Sequence, residues 1–328
     1  MSRRTLCFPV APAPGPGDDV CVPELPDIEA YLAALSCRVM GRRLERLSIR
    51  GPFLVRTVDP PIDAIEGLHV ATLRRLGKRL VLGFEPDLFL VIHLMIVGRL
   101  HWTDPMASDG GAGPDRRPGT VRGAKSDLAR WMFDSGVLTL TEAGTTHRAS
   151  LHLVRGEPSL AALDPGGIEP LACSRDDFAA ALRRESRTIK RALTDPHTFS
   201  GIGNAYSDEI LHHARLSPLT LTRTLSDTDV DRLRQAVVHV LTTWTSRLIA
   251  EAADRFPERV TAFRPEFAVH GKFGQPCPTC GEAVQRIVRA ENEINYCPGC
   301  QTDGRILKDR SLSRLLRDAW PRTTDDLD

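Results

Sequence analysis

From Ile28 onward the apolar positions Ile28, Tyr31, Leu32, Leu35 and Val39 recur at helical spacing, behind a Pro26-Asp27 pair suited to a first turn. A helix is predicted there. Beyond about residue 44 the period changes to short alternating or apolar runs, at residues 80–84, 89–93, 128–133, 137–140 and 150–154, which predict strands of an antiparallel sandwich or barrel reaching residue 155. Residues 104–123 interrupt them with Gly110, Gly111, Gly113 and Gly119 among Pro105, Pro114 and Pro118, the composition of a mobile loop. After Asp164-Pro165-Gly166-Gly167, helical spacing returns over residues 176–250 and predicts a separate helical domain. Residues 1–22, rich in Pro, Gly and Ala and without periodicity, are expected to be disordered. The class is therefore α+β: an N-terminal helix with an antiparallel β-sandwich over 23–155, a helical domain over 156–262, a cysteine-bearing module over 263–310 and a tail over 311–328. No internal repeat is visible.

With 328 residues, 41% hydrophobic and 26% charged, the chain can bury two or three cores. Its 43 Lys and Arg against 42 Asp and Glu exclude a uniformly basic protein, so a nucleic-acid surface has to come from local clustering. One such cluster lies between residues 38 and 80, where ten Lys and Arg face four Asp and Glu. Apolar runs such as residues 88–92 are far shorter than the roughly 18–20 residues of a bilayer span. The Arg3-Arg4 pair hints at an export signal, but Pro9, Pro12, Pro14 and Pro16 occupy the place of its hydrophobic core. A cytoplasmic location, with reduced thiols, is expected.

Cys277-Pro-Thr-Cys280 and Cys297-Pro-Gly-Cys300, 16 residues apart, match the spacing of a four-thiolate zinc site. Four thiolates close the tetrahedron and leave no open position, so one structural Zn²⁺ is expected. Cys7, Cys21, Cys37 and Cys173 are scattered. In the helical region, Ile189-Lys190-Arg191-Ala192-Leu193 begins a helix, and Gly201-Ile202-Gly203-Asn204 interrupts the pattern before it resumes. Backbone N–H groups of such a glycine turn can face a phosphate, with Lys190 and Asn204 adding a charge and an amide and Arg183, Arg184, Arg187 and Arg191 supporting them. An ordinary helix connection with a glycine cap fits the same residues.

In order along the chain, PELPDIE (23–29), LGK (76–78), IKRAL (189–193), GIGNAYSDE (201–209) and the four-cysteine module resemble the formamidopyrimidine-DNA glycosylase and endonuclease VIII family, from Pro23 to about Gln301. The resemblance implies a β-sandwich with an N-terminal helix, a helix-two-turns-helix domain and a zinc finger. It also implies a bifunctional glycosylase and abasic-site lyase that acts on damaged DNA, here expected as a monomer. Pro23 corresponds to the family's amine nucleophile, Glu24 to its acid/base, Lys78 to a lysine on the flanking phosphate, and Lys190 and Asn204 to phosphate contacts. In HLMIVGR, Met95 or Ile96 falls at the intercalating position.

Three departures matter. The segment that often reads DPRRFG in the family is EAGTTHRAS here, where His147 or Arg148 stands in for the arginine and no aromatic residue is present to stack in the gap left by a flipped base. Asn292 replaces the finger arginine that grips phosphate and is linked to δ-elimination, leaving Arg286 and Arg289 to compensate; β-elimination is expected to dominate. Asp27 replaces a Glu, a modest change. Pro23 itself is internal, and its amide nitrogen has no lone pair to react. The active chain is therefore expected to begin at Pro23, either because translation starts at the codon of Val22 or because the leader is cleaved. A catalytically silent damaged-DNA-binding protein is the alternative, and a zinc-ribbon adaptor a third.

Overall fold

A computed structural model describes residues 22–51, 53–105, 126–143, 148–258, 263–289, 292–308 and 323. The leader expected to be disordered and most of the 104–123 loop lie outside these residues, as does His147. The described residues fall into two compact units, one within Val20–Glu169 and Leu241–Thr261, the other within Pro170–Val240 and Ala262–Asp328.

The first unit opens with helix α1 (Leu25–Val39), whose Ile28, Tyr31, Leu35 and Val39 are fully buried, as the spacing predicts. Eight strands follow: β1 (Leu44–Ile49), β2 (Val70–Leu76), β3 (Arg79–Phe84), β4 (Leu88–His93), β5 (Gly98–Thr103), β6 (Asp127–Phe133), β7 (Gly136–Glu142) and β8 (Ser150–Arg155). They form two antiparallel four-stranded sheets, ordered β1-β6-β7-β5 and β2-β3-β4-β8. Strand periodicity explains the long apolar runs of β3 and β4. Leu80, Leu82, Leu90 and Ile92 join Leu151 and Leu153 in the core shared with α1 and the other sheet. On the opposite face Val81, Phe89, Val91 and Val154 pack with Leu160 of the short helix α2 (Glu157–Ala161) in a second cluster. Both faces are covered, so neither strand alternates with polar residues.

In the second unit, α3 (Arg175–Arg183), α4 (Ile189–Thr194), α5 (Asn204–His213) and the first part of α6 (Asp227–Asp254) bury Phe178, Leu193, Phe199, Tyr206, Ile210 and Leu233. The hairpin β9 (Gln285–Arg289) and β10 (Asn292–Tyr296) precedes the short α7 (Pro298–Gln301). The cysteine module is built into this unit through α5. The buried Glu209 carboxylate accepts N–H bonds from Ala268, Val269 and His270 at 2.8–2.9 Å. One boundary differs from the sequence reading. The end of α6, expected with the helical domain, contributes Leu248 and Ala252, with Phe256 beyond it, to the sandwich core, where Phe256 meets Tyr31 at 5.8 Å between ring centroids. Helical periodicity reports an apolar face but not what covers it.

Candidate catalytic and nucleic-acid-binding sites

Pro23 and Glu24 sit at the start of α1, both buried, with Glu24 4% exposed. Glu24 is the N-cap of the helix. Its carboxylate accepts the Asp27 backbone N–H, and its own N–H donates to Asp27 Oδ2 at 2.9 Å, a complete capping box. Asp27, in the position where the family resemblance expects Glu, therefore still reaches back one turn.

Lys78 lies in the two-residue turn between β2 and β3. Gly77, at φ +61°, supplies the left-handed conformation with which such a turn begins. Arg75, not singled out in the sequence, fixes this turn. Its guanidinium, 10% exposed, donates from Nε to Glu29 Oε1 at 2.9 Å, from Nη1 to the Gly77 carbonyl at 2.8 Å and from Nη2 to Glu169. One side chain thus ties the second turn of α1 to the loop that carries Lys78. The only sequence signal for it was a charge three residues before that lysine. Around the turn the field is positive. Burial, then Arg79, Lys78 and His152, push the His93 imidazole down to about 4. Burial, then Arg79 and Arg56, lower His152 as well. Both rings are neutral near pH 7.

Met95 and Ile96 occupy the turn between β4 and β5, half-buried, with Met95 at φ +54°. The turn is closed by the Gly98 N–H on the Leu94 carbonyl at 3.0 Å, and a Cβ at Gly98 would fall 2.2 Å from that oxygen. A methionine held in a conformation that disfavours side chains marks a constrained tip. Arg148 is exposed. Its backbone N–H and that of Ala149 are held by the buried Glu142 carboxylate at 2.8 and 3.2 Å.

In the second unit the structure corrects the role expected of Lys190. The side chain is 5% exposed, and Nζ donates to Asp208 Oδ1 and to the Asn204 carbonyl, both at 2.6 Å. Its charge is directed at a fully buried carboxylate, which also meets His270 Nδ1 at 2.7 Å and the Asn295 N–H at 3.1 Å. Lys190 thus braces the glycine turn from beneath. Asn204, the first residue of α5, donates from Nδ2 to the Glu293 carbonyl at 2.8 Å, joining the turn to the β9–β10 hairpin. The supporting arginines are partly engaged as well: Arg183 pairs with Asp227 at 2.9 Å and Arg187 with Asp195 at 2.5 Å, while Arg191 stays exposed. Arg286, expected to compensate for Asn292, is held by Glu293 Oε2 at 3.1 Å and lies 4.3 Å from the Phe273 ring centroid. Its charge is already matched. The side chains of Arg289 and Asn292 lie outside the described residues.

Cys277, Cys280, Cys297 and Cys300 place their Sγ atoms within 4.8 Å of one another. The Cys277–Cys300 and Cys280–Cys297 separations are 3.9 and 3.3 Å. A tetrahedral zinc thiolate with bonds of about 2.3 Å needs sulfurs roughly 3.8 Å apart, so the four fit a single ion. Burial pushes the Cys300 thiol up to about 12 and raises Cys297, while burial at Cys277 is outweighed by hydrogen bonds from the Thr279 and Cys280 backbone, which lower it; a bound cation would turn the two raised thiols into thiolates at neutral pH. His212 of α5 adds Nε2 at 3.3 Å from Cys277 Sγ. No spacing or motif in the sequence points to that contact.

Two family models match the chain: the formamidopyrimidine-DNA glycosylase N-terminal domain over residues 22–142 and the formamidopyrimidine-DNA glycosylase H2TH domain over residues 167–246. Sandwich, helical hairpin and thiolate cluster together define a DNA glycosylase of the helix-two-turns-helix class. Formamidopyrimidine-DNA glycosylases of Thiobacillus denitrificans and Laribacter hongkongensis are 33% and 30% identical to it, each alignment spanning 85% of this chain and 100% of the relative. The crystal structure of the MutM (Fpg) protein of Thermus thermophilus superposes with a TM-score of 0.68 at 27% identity, over 85% of this chain and 98% of that one. The fold is also shared by the Lactococcus lactis formamidopyrimidine-DNA glycosylase bound to DNA containing an AP site, at a TM-score of 0.69 and 24% identity, over 85% and 99% of the two chains. The chain belongs to the formamidopyrimidine-DNA glycosylase family, whose members are DNA-repair enzymes. Among the described residues, no helix is long and apolar enough to cross a membrane.

Proposed function

We propose that this protein excises oxidised bases from DNA and then nicks the strand as an abasic-site lyase, with the secondary amine of Pro23 as nucleophile in a chain that begins at that residue. The observation that carries this reading is the Pro23-Glu24 pair at the helix start, immobilised by the Glu24–Asp27 capping box. A free α-amino group near pKa ~8 is roughly a tenth neutral at pH 7, enough to attack C1′. In the first step the N–C1′ bond forms as the glycosidic bond breaks and the base departs with a proton. Glu24 then protonates O4′ as the sugar ring opens to an iminium ion. Loss of a C2′ proton expels the 3′-phosphate by β-elimination, and water hydrolyses the iminium to restore the amine. Lys78, steadied by Arg75, holds the flanking phosphate, Met95 or Ile96 enters the base stack, and Asn204 with the turn beside it meets the backbone. Arg148 takes the arginine role at the lesion. Cys277, Cys280, Cys297 and Cys300 hold one Zn²⁺ that supplies structure and no reactive position.

The competing reading, a silent binder of damaged DNA, follows if Val22 stays joined to Pro23, because a planar amide nitrogen cannot form the iminium. Borohydride reduction with abasic-site DNA separates the two. Protein made from its native gene should show an intact mass beginning at Pro23 and become covalently linked to DNA. An active preparation whose mass retains Met1 would overturn the proline mechanism, and failure to trap would favour the binder.

A further inference from the structure

The tip that joins β4 to β5 is wound more tightly than its residues favour. Met95 holds φ +54°, a left-handed conformation that costs any residue bearing a Cβ and that persists only where the surroundings over-determine it. Leu94, fully buried, pins the entry to the tip, and the Gly98 N–H closes the turn on the Leu94 carbonyl at 3.0 Å. The remaining restraint is a side chain. Arg99 Nη1 donates to the Ile96 carbonyl at 3.1 Å and to the Gly98 carbonyl at 2.8 Å.

Strand geometry brings Arg99 to this place. Leu100 enters the core, so Arg99, one residue earlier, lies on the other face of β5, opposite Thr141 of β7. From there its guanidinium folds back over the turn, and one nitrogen carrying two protons reaches carbonyls on both sides of Val97. We infer that Arg99 is a positioning residue for the base-stack contact: it holds the Met95–Ile96 tip in the wound form, so that a side chain enters the stack without the turn first having to order. Its Nη1 is directed at protein carbonyls, which separates this role from that of a phosphate ligand. Arg75 supports the Lys78 turn in the same manner, through the Gly77 carbonyl.

The inference rests on the glycosylase reading, so its test avoids the proline chemistry. The full chain is titrated with an intact duplex and with one carrying a tetrahydrofuran abasic analogue, which cannot form an imine, beside 2-aminopurine. A side chain entering the stack separates 2-aminopurine from its neighbour and raises its emission. Arg99→Met keeps the alkyl stem and removes the donors. It is expected to reduce the preference for the abasic duplex about 5- to 30-fold, the population lost when a left-handed residue is released, and to shrink the emission rise at saturation. Its dependence of log Kobs on log salt should match wild type on both duplexes. Arg99→Lys, which keeps a donor group, should recover part of the preference and of the emission. Arg99→Gln, neutral and shorter, should behave as Arg99→Met and carries the same test if that variant folds poorly. A folded Arg99→Met chain that keeps both the preference and the emission rise would overturn the role of Arg99 and leave the glycosylase reading intact. So would a salt slope smaller by about 0.9 with equal loss on both duplexes, the mark of a phosphate ligand. A wild-type chain that does not distinguish the two duplexes would instead remove the glycosylase reading.

Discussion

Replacing Lys190 with Met keeps the length of the side chain and removes its charge from beneath the glycine turn. Asp208, fully buried, then loses a partner at 2.6 Å and keeps only His270 Nδ1 and the Asn295 N–H. Breaking a buried ion pair from one side costs roughly 3–5 kcal/mol because the remaining charge is stranded. The two surviving contacts put the expectation near the lower end, about 3 kcal/mol, or a fall of about 10 °C in Tm for a unit of this size. Lys190→Met/Asp208→Asn should recover part of the loss, giving a coupling energy in a double-mutant cycle. The DNA readout is the dependence of log Kobs on log salt, measured at a temperature where every variant is folded. A phosphate ligand contributes about 0.9 to that slope, whereas a brace beneath the turn contributes none. A slope reduced by about one with Tm unchanged would refute the assignment and return Lys190 to the DNA surface.

Arg75→Lys preserves charge but loses the fork that spans Glu29, Gly77 and Glu169. It should lower strand cleavage more than DNA affinity, and Arg75→Ala should also destabilise the sandwich unit by about 1–3 kcal/mol, the exposure of both glutamates limiting the effect. Urea unfolding and single-turnover cleavage check both. His93 falls from the ordinary 6.5 to about 4 in the folded chain, so the unfolded state binds the extra proton between those values. Its stabilising effect is complete above pH 6.5 and drains away toward pH 4, a slope that His93→Gln should flatten in pH-dependent urea titrations. Removing metal with a chelator should unfold the β9–β10 hairpin and abolish its amide-exchange protection, while His212→Phe should accelerate metal release measured with a colorimetric chelator. With Asn292 at the hairpin and Arg286 matched by Glu293, gel analysis of cleavage should show β-elimination ends in excess of β,δ ends.

Strands with buried faces and the first helix are legible in the sequence because their spacing is a direct consequence of burial. Residues 80–84 and 89–93 read as strands and form β3 and β4. By contrast β1, β2 and β5 carry Glu45, Arg46, Arg74, Arg75, Arg99 and His101 among their apolar positions, and no clean alternation marks them. The cysteine spacing is sufficient for a four-sulfur cluster. Lys190 shows the limit of such reading. A lysine in IKRAL declares a charge, but only the fold reveals Asp208, 18 residues later, waiting beneath it.

The cap at the start of α1 has a consequence for how the chain tolerates shortening. Both of its bonds run between Glu24 and Asp27, so nothing upstream of Pro23 contributes to them. On the proposed mechanism the Pro23 amine would therefore be held from its downstream side, by bonds that a cut before Pro23 leaves intact.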